Sequence, residues 1–184
     1  MIGIVHPKLC IPCSMMVVLF RHGPAGHRDK SRWPDDTRRP LSTSGIERTR
    51  AAAHGLLGLL PRTPHVLTSP LVRAEQTAKI LVEAAKAEAP ELIAALAPGH
   101  TPRTVIRRLA ECSTNDVVVL VGHEPGLGEL AGMLVGGTNG PPLPLKKAGA
   151  AVVSFVGPVR IGDGRLNAML PPRLLRRLGR HRKS

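Results

Sequence analysis

Two kinds of apolar pattern alternate along this chain: short unbroken runs, and stripes that recur every three or four residues. Met16–Phe20 is an unbroken run rich in aliphatic residues, as expected of a strand covered on both faces in a parallel sheet. A polar stretch at 21–43, rich in Pro, Arg and Asp, follows it. A loop that long inside a compact domain usually carries function or lacks order. Ser44 and Glu47 stand at capping-box spacing, which predicts a helix running to about Leu60, where Pro61 stops it. His65–Thr68 reads as a second strand. Ser69-Pro70 then predicts a cap with Pro at the first helical position. Leu71, Ala74, Ala78, Leu81 and Ala85 recur at helical spacing behind it.

The alternation continues. Leu92–Leu96 is a weaker strand pattern, and Thr101-Pro102 opens a helix with Val105, Ile106 and Leu109 on one face. Val117–Val121 is the clearest buried strand in the chain, with a helix read at Pro125–Val135. A Gly/Pro loop at 136–144 precedes a late strand at Ala150–Val156, and Arg165–Leu170 is a last strand candidate. Strands that alternate with helices predict a three-layer α/β/α sandwich around a mostly parallel sheet. Without a repeat or an internal linker, the chain divides into an N-terminal extension at 1–14 open to disorder, a single domain at 15–170 and a basic tail at 171–184.

Composition narrows the picture modestly. The 184 residues suffice for one domain with a substantial core. Phe20, Trp33 and Phe155 are the whole aromatic set, so that core is built from aliphatic residues. The formal net charge is +13, and Arg173, Arg176, Arg177, Arg180, Arg182 and Lys183 supply six of those charges with no acid among them. Such a tail reads as a solvated, frayed terminus rather than a nucleic-acid or anionic-surface anchor. Cys10 and Cys13 form a C-x-x-C pair with no second pair nearby to complete a zinc site, so structural or incidental use is expected. Three cysteines in all suit a reducing cytoplasm, where the protein is expected. Pro12 interrupts the longest apolar stretch, so no membrane span is expected. A secretory signal at 1–20 would remove the strand that leads into Arg21-His22, which argues against one.

Chemistry gathers at three strand ends. The first strand delivers Arg21-His22-Gly23. The second delivers Ser69-Pro70, with Arg73 one helical turn on, and the strand at 117–121 delivers Gly122-His123-Glu124-Pro125. Ligands of open parallel sheets bind beyond the carboxyl ends of the strands, so two arginines and two histidines converge there. Guanidinium groups fork onto phosphate oxygens, and a helix N-terminus adds oriented amides. A neutral imidazole is a competent nucleophile for covalent transfer, while the remaining cations stabilise charge on the transferring group. No acidic cluster has metal-ligand spacing, so the arginines would take the part a metal takes elsewhere.

The run Leu19-Phe20-Arg21-His22-Gly23-Pro24-Ala25, then Arg39-Pro40-Leu41-Ser42, then Ser69 to Ala78, then Val121-Gly122-His123-Glu124-Pro125-Gly126 resembles the histidine phosphatase superfamily. Within it the pattern is similar to the small phosphohistidine phosphatases of the SixA type, over about residues 15–157. The resemblance implies a phosphoglycerate mutase-like fold and a hydrolase that needs no metal and no cofactor. It implies His22 as the nucleophile that carries the phosphoryl group, and Arg21, Arg73 and His123 as the phosphate pocket. Gly23, Arg39 and Ser69 join them as expected substrate-binding positions.

This sequence also departs from the family. Many members place an acidic residue after the third strand, where this chain has Ala94-Ala95-Leu96-Ala97-Pro98. Two acid candidates remain: Asp36, preferred for its place four residues before Pro40, and Glu124 beside His123. A site with a weak proton donor favours phosphorus–nitrogen bonds over alkyl esters. The span from Lys79 to Asp116 leaves little chain for a cap, so an open site suited to a phosphorylated protein side chain is expected, with Trp33 packing either against that substrate or within its own loop. The expected partner is a phosphohistidine-bearing protein, met by a monomer. The alternatives are a broad small-molecule phosphomonoesterase and, from another class, a non-catalytic module that binds phosphate or nucleic acid through the pocket and the tail.

Overall fold

In β1 (Met15–Arg21) every residue through Phe20 is buried, because the two faces of this strand feed two different cores. Met16, Val18 and Phe20 join one apolar cluster, and Met15, Val17 and Leu19 join the other. The period-two alternation of side chains across a strand puts them there. The computed structural model describes residues 15–180; the segment 1–14 with Cys10 and Cys13, and residues 181–184, lie outside the described residues.

Helix α1 (Thr43–Leu59) follows β1 through the long polar loop, then β2 (His65–Thr68), α2 (Val72–Ala85) and the two-residue β3 (Glu91–Leu92). A 3-10 turn at Ala94–Leu96 leads to α3 (Pro102–Leu109), β4 (Val117–Gly122), α4 (Gly126–Gly136), β5 (Ala150–Phe155), β6 (Arg165–Leu170) and α5 (Pro172–Arg180). The sheet runs β3-β2-β4-β1-β5-β6. The β3-β2, β2-β4 and β4-β1 pairs are parallel, whereas β5 pairs antiparallel with both β1 and β6. Helices α1, α2 and α5 supply residues such as Leu56, Leu81 and Leu175 to the cluster on one face. Helices α3 and α4 supply Ile106, Leu109, Leu130 and Leu134 to the other. The expected three-layer sandwich is the fold observed.

The structure departs from the sequence pattern in four places. The cap of α1 is Ser42, whose Oγ accepts from Gly45 N–H at 3.0 Å, two residues before the expected Ser44. The strand expected at Leu92–Leu96 survives only at Glu91–Leu92, because Ala94–Leu96 curls into the 3-10 turn. Ser69 does not cap α2, which starts at Val72 behind Leu71 with no side-chain cap. The fourth departure concerns the tail. Residues 172–180, expected to fray, form α5, which packs on α1 with Leu175 fully buried. Gly55 and Gly179 let the two backbones meet: a Cβ on Gly179 would stand 2.0 Å from Ala51 O. The side chains at a helix contact set how closely the axes approach, and here the absence of side chains sets it.

The loop between β1 and α1 is pinned at its base. Ala25 and Leu41 form an isolated bridge, and Ser42 N–H donates to Pro24 O at 3.1 Å. Between α2 and β4 the described chain holds β3, the short turn and α3, so nothing large covers the carboxyl edge of the sheet from that side.

Candidate active site

Register carries the three motifs to one place. Arg21 pairs with Gly122 across β1 and β4, and Thr68 pairs with Val121 across β2 and β4. One residue later His22 and His123 stand side by side, with ring centroids 4.9 Å apart. Arg73 reaches the same point from the first turn of α2. A cavity of about 520 Å³ opens there, walled by Arg21, His22, Arg39, Arg73, His123 and Glu124 among others.

His22 is held in one tautomer. Its Nδ1 lies 2.7 Å from Gly23 O, and a carbonyl can only accept, so Nδ1 carries the proton and Nε2 offers its lone pair. Burial pushes the His22 pKa down to about 3, and His123, Arg73 and Arg21 push the same way. The ring therefore stays neutral near neutral pH, with a lone pair on Nε2. Gly23 has to be glycine: a Cβ there would fall 1.9 Å from Thr49 Oγ1. Its N–H donates to Thr77 Oγ1 at 3.0 Å. Gly23, expected to bind substrate, thus stands behind the wall and orients the His22 ring.

His123 is arranged in the complementary way. Its Nε2 lies 2.9 Å from Ser69 Oγ, and that oxygen already accepts from Leu71 N–H at 3.3 Å. A hydroxyl oxygen can accept twice as well as donate, so Ser69 Oγ holds Nε2 in either tautomer of the ring. Ser69, fully buried, therefore supports His123 from behind. Burial, then Arg73 and Arg21, lowers the His123 pKa to about 4.

Among the described residues, three buried side-chain polar atoms have no hydrogen-bond partner: Arg21 Nε, Arg73 Nε and His123 Nδ1. All three belong to residues on the wall of the one cavity. Buried polar atoms without partners are costly, and charged residues grouped around one cavity suit an anion such as a phosphoryl group.

The two acid candidates have different surroundings. Asp36 lies off the cavity wall and is clasped by arginines: Arg39 Nε at 2.8 Å, Arg73 Nη2 at 3.3 Å and Arg28 Nε at 3.9 Å. Its backbone carbonyl also accepts from Arg73 Nη1 at 2.8 Å. The hydrogen bond from Arg39, with further help from Arg73, holds its carboxyl below the usual range. An acid favoured as the anion is a poor proton donor, and its evident effect is to hold Arg39 and Arg73 in place. Glu124 is half-buried on the cavity wall, and burial raises its pKa although Leu145 N–H donates to it at 2.8 Å.

Some wall residues have no counterpart in the sequence reading. Lys147, Arg28 and His27 line the cavity. Lys147 lies just before β5, and because β5 runs antiparallel to β1, its start lies at the active edge. Burial and then four neighbouring arginines, Arg21 foremost, lower the Lys147 pKa. Trp33 takes no part: it lies under the Arg32 guanidinium, 5.6 Å from the ring centroid, and is absent from the cavity wall. Among the described residues, no three His, Cys, Asp or Glu side chains gather into a candidate metal site. No helix there is long and apolar enough to cross a membrane.

One consequence is measurable. Both histidines have folded-state pKa values below the unfolded value of 6.5, so between pH 6.5 and about 3 the unfolded chain binds more protons than the native one. Native stability is thus intact above pH 6.5 and falls as pH falls through that window. Ring resonances of His22 and His123 in an NMR titration are expected to stay those of neutral imidazole down to pH 5. Protonation near pH 6.5 would contradict the buried, cation-flanked geometry.

A strand-end cluster of two His and two Arg on a three-layer α/β/α sheet is the arrangement of a phosphoryl-transfer protein. Residues 17–97 match the histidine phosphatase superfamily (branch 1). The phosphohistidine phosphatase SixA of Escherichia coli K12 is 30% identical over 161 residues, covering 86% of this chain and 94% of that protein. An uncharacterized protein of Picosynechococcus is 40% identical over 156 residues, covering 84% of this chain and 90% of its own length. The structure of the protein histidine phosphatase SixA complexed with tungstate superposes with a TM-score of 0.75 at 27% identity, covering 88% of this chain and 99% of that one. The chain belongs to the histidine phosphatase superfamily, as a SixA-type member, and is a phosphatase.

Proposed function

We propose that the protein hydrolyses phosphohistidine on protein substrates, through a phosphoryl group carried on His22 and without a metal. The observation that carries this reading is the grouping of the donors of Arg21, Arg73 and His123 around a cavity that His22 lines, with Arg21 Nε, Arg73 Nε and His123 Nδ1 buried and unpartnered among the described residues. These donors seat the phosphoryl oxygens while His22 Nε2 attacks phosphorus in line. The substrate's phosphorus–nitrogen bond breaks as the bond to Nε2 forms, and the departing imidazole takes up a proton. Water then attacks the phosphorylated His22, releasing inorganic phosphate and the free ring.

The surroundings of the carboxylates favour this substrate class. Exchange of one phosphorus–nitrogen bond for another is nearly balanced in energy, and imidazole leaves with little help from an acid. An alkyl ester leaves as an alkoxide and needs a proton placed on its oxygen in the transition state. Asp36 is held as the anion by its arginines. Glu124 is the better donor of the two by its raised pKa and its place on the wall, but Leu145 N–H tethers it. A weak donor penalises alkyl esters and spares phosphohistidine.

The test is a comparison of substrates with one preparation. A phosphohistidine peptide is expected to exceed serine phosphate and sugar phosphates in kcat/KM by about 100-fold or more, the scale of general-acid assistance. Equal turnover of alkyl phosphomonoesters would sink the reading in favour of a broad phosphomonoesterase.

A further inference from the structure

The reacting cavity continues sideways into a second groove of about 340 Å³, and the two share Pro98, His123 and Glu124. The groove runs between the loop at 95–101, the start of α3 and the first turns of α4. Leu96, Val105, Leu127 and Leu130 form its floor and are buried. No Arg or Lys lines it, although the chain carries a net charge of +13. Its charged residues are carboxylates, Glu124 at the junction and Glu129 on the exposed side.

The two compartments therefore want opposite things. Five cationic side chains line the reacting cavity, namely Arg21, Arg28, Arg39, Arg73 and Lys147. The groove offers an apolar floor and negative charge. A ligand that fills both is anionic at one end and apolar, then basic, at the other. Apart from the carboxylates only His100, Thr101 and His123 offer polar side chains there, so the several hydroxyls of a sugar or nucleotide leaving group would find few partners over the floor of Leu96, Val105, Leu127 and Leu130.

We propose that this groove receives the polypeptide next to the phosphorylated residue, seating one apolar side chain on the floor and a basic side chain against Glu129. The inference rests on the reading of the protein as a phosphohistidine protein phosphatase, and it adds which protein segments are chosen. The groove then acts as a specificity site beside the reacting phosphoryl group, and Glu124 stands where the leaving imidazole passes from one compartment to the other.

Gly126 allows a direct test, since a Cβ built there meets nothing within 4 Å. Gly126→Phe should fill the groove without disturbing the fold. Phosphohistidine peptides on one backbone, with Leu-Lys, Ser-Ser or Asp-Glu on either side of the phosphorylated residue, would be assayed with the wild-type chain and the variant. The wild type is expected to prefer Leu-Lys over Asp-Glu by at least about tenfold in kcat/KM, the scale of one side chain in an apolar pocket. In Gly126→Phe that ratio is expected to collapse to near unity, and Glu129→Lys should remove the advantage of the basic residue. Peptides hydrolysed at equal rates by the wild type, or a preference that survives Gly126→Phe, would overturn the groove assignment alone. Failure of the wild type to hydrolyse any of these peptides, with p-nitrophenyl phosphate still turned over, would overturn the substrate reading and the groove with it.

Discussion

His22→Ala is expected to lower kcat by about 10⁴-fold or more, the scale seen when a covalent nucleophile is removed. The pocket holds no substitute. His123 holds Ser69 Oγ through Nε2, and its other ring nitrogen, Nδ1, is buried, so neither stands open to attack phosphorus. The anion-binding donors Arg21 and Arg73 remain in the variant, so the substrate KM should move far less than kcat. His22 is among the most buried side chains of the site, at 6% exposure, but it fills a cavity wall rather than a core layer. The folded variant should therefore survive for measurement. Single-turnover kinetics on phosphohistidine peptide would check this, and a loss below tenfold would mean that water attacks the substrate directly.

Arg73→Lys ranks second, with an expected fall of about 10²- to 10³-fold in kcat/KM. A lysine keeps the charge but loses the planar fork that lets one side chain serve two partners. Arg73 spends Nη1 on Asp36 O and Nη2 on the Asp36 carboxylate, and its Nε is buried without a partner. An ammonium cannot divide itself this way. Asp36→Asn separates the two roles considered for Asp36. As a positioning residue it should cost a similar factor for every substrate, through loosened Arg73 and Arg39. As a general acid it would cost far more for alkyl esters than for phosphohistidine, and would remove the basic limb of the pH profile.

How much of this could be read from sequence follows from what each signal depends on. Unbroken apolar runs at Met16–Phe20 and Val117–Val121 exist because both sheet faces are covered, so these strands and the sandwich around them were legible. The chemistry at their ends was legible for the same reason, since parallel strands finish on one edge. Strand direction was not legible, and so Lys147 escaped notice: it reaches the active edge only because β5 runs against β1. The tail misled because charge dominates its composition, whereas its docking depends on Leu175 and on the missing side chains of Gly55 and Gly179. Ser69 and Gly23 stood in the right motifs but serve one step back, Ser69 behind His123 and Gly23 behind His22. Spacing locates such residues without saying which way their polar groups point. Asp36 was a plausible acid by position, and its three arginine partners come together only in the folded loop.

Passage of the phosphoryl group through His22 is the pivotal step of the proposed reaction. Its most direct measurement is a rapid reaction with labelled phosphohistidine peptide, quenched in alkaline denaturant, in which phosphoramidates survive, and mapped by mass spectrometry. The prediction is label on His22 Nε2 that appears before inorganic phosphate and is absent from His22→Ala. Turnover with no labelled protein, or label on another residue, would contradict it.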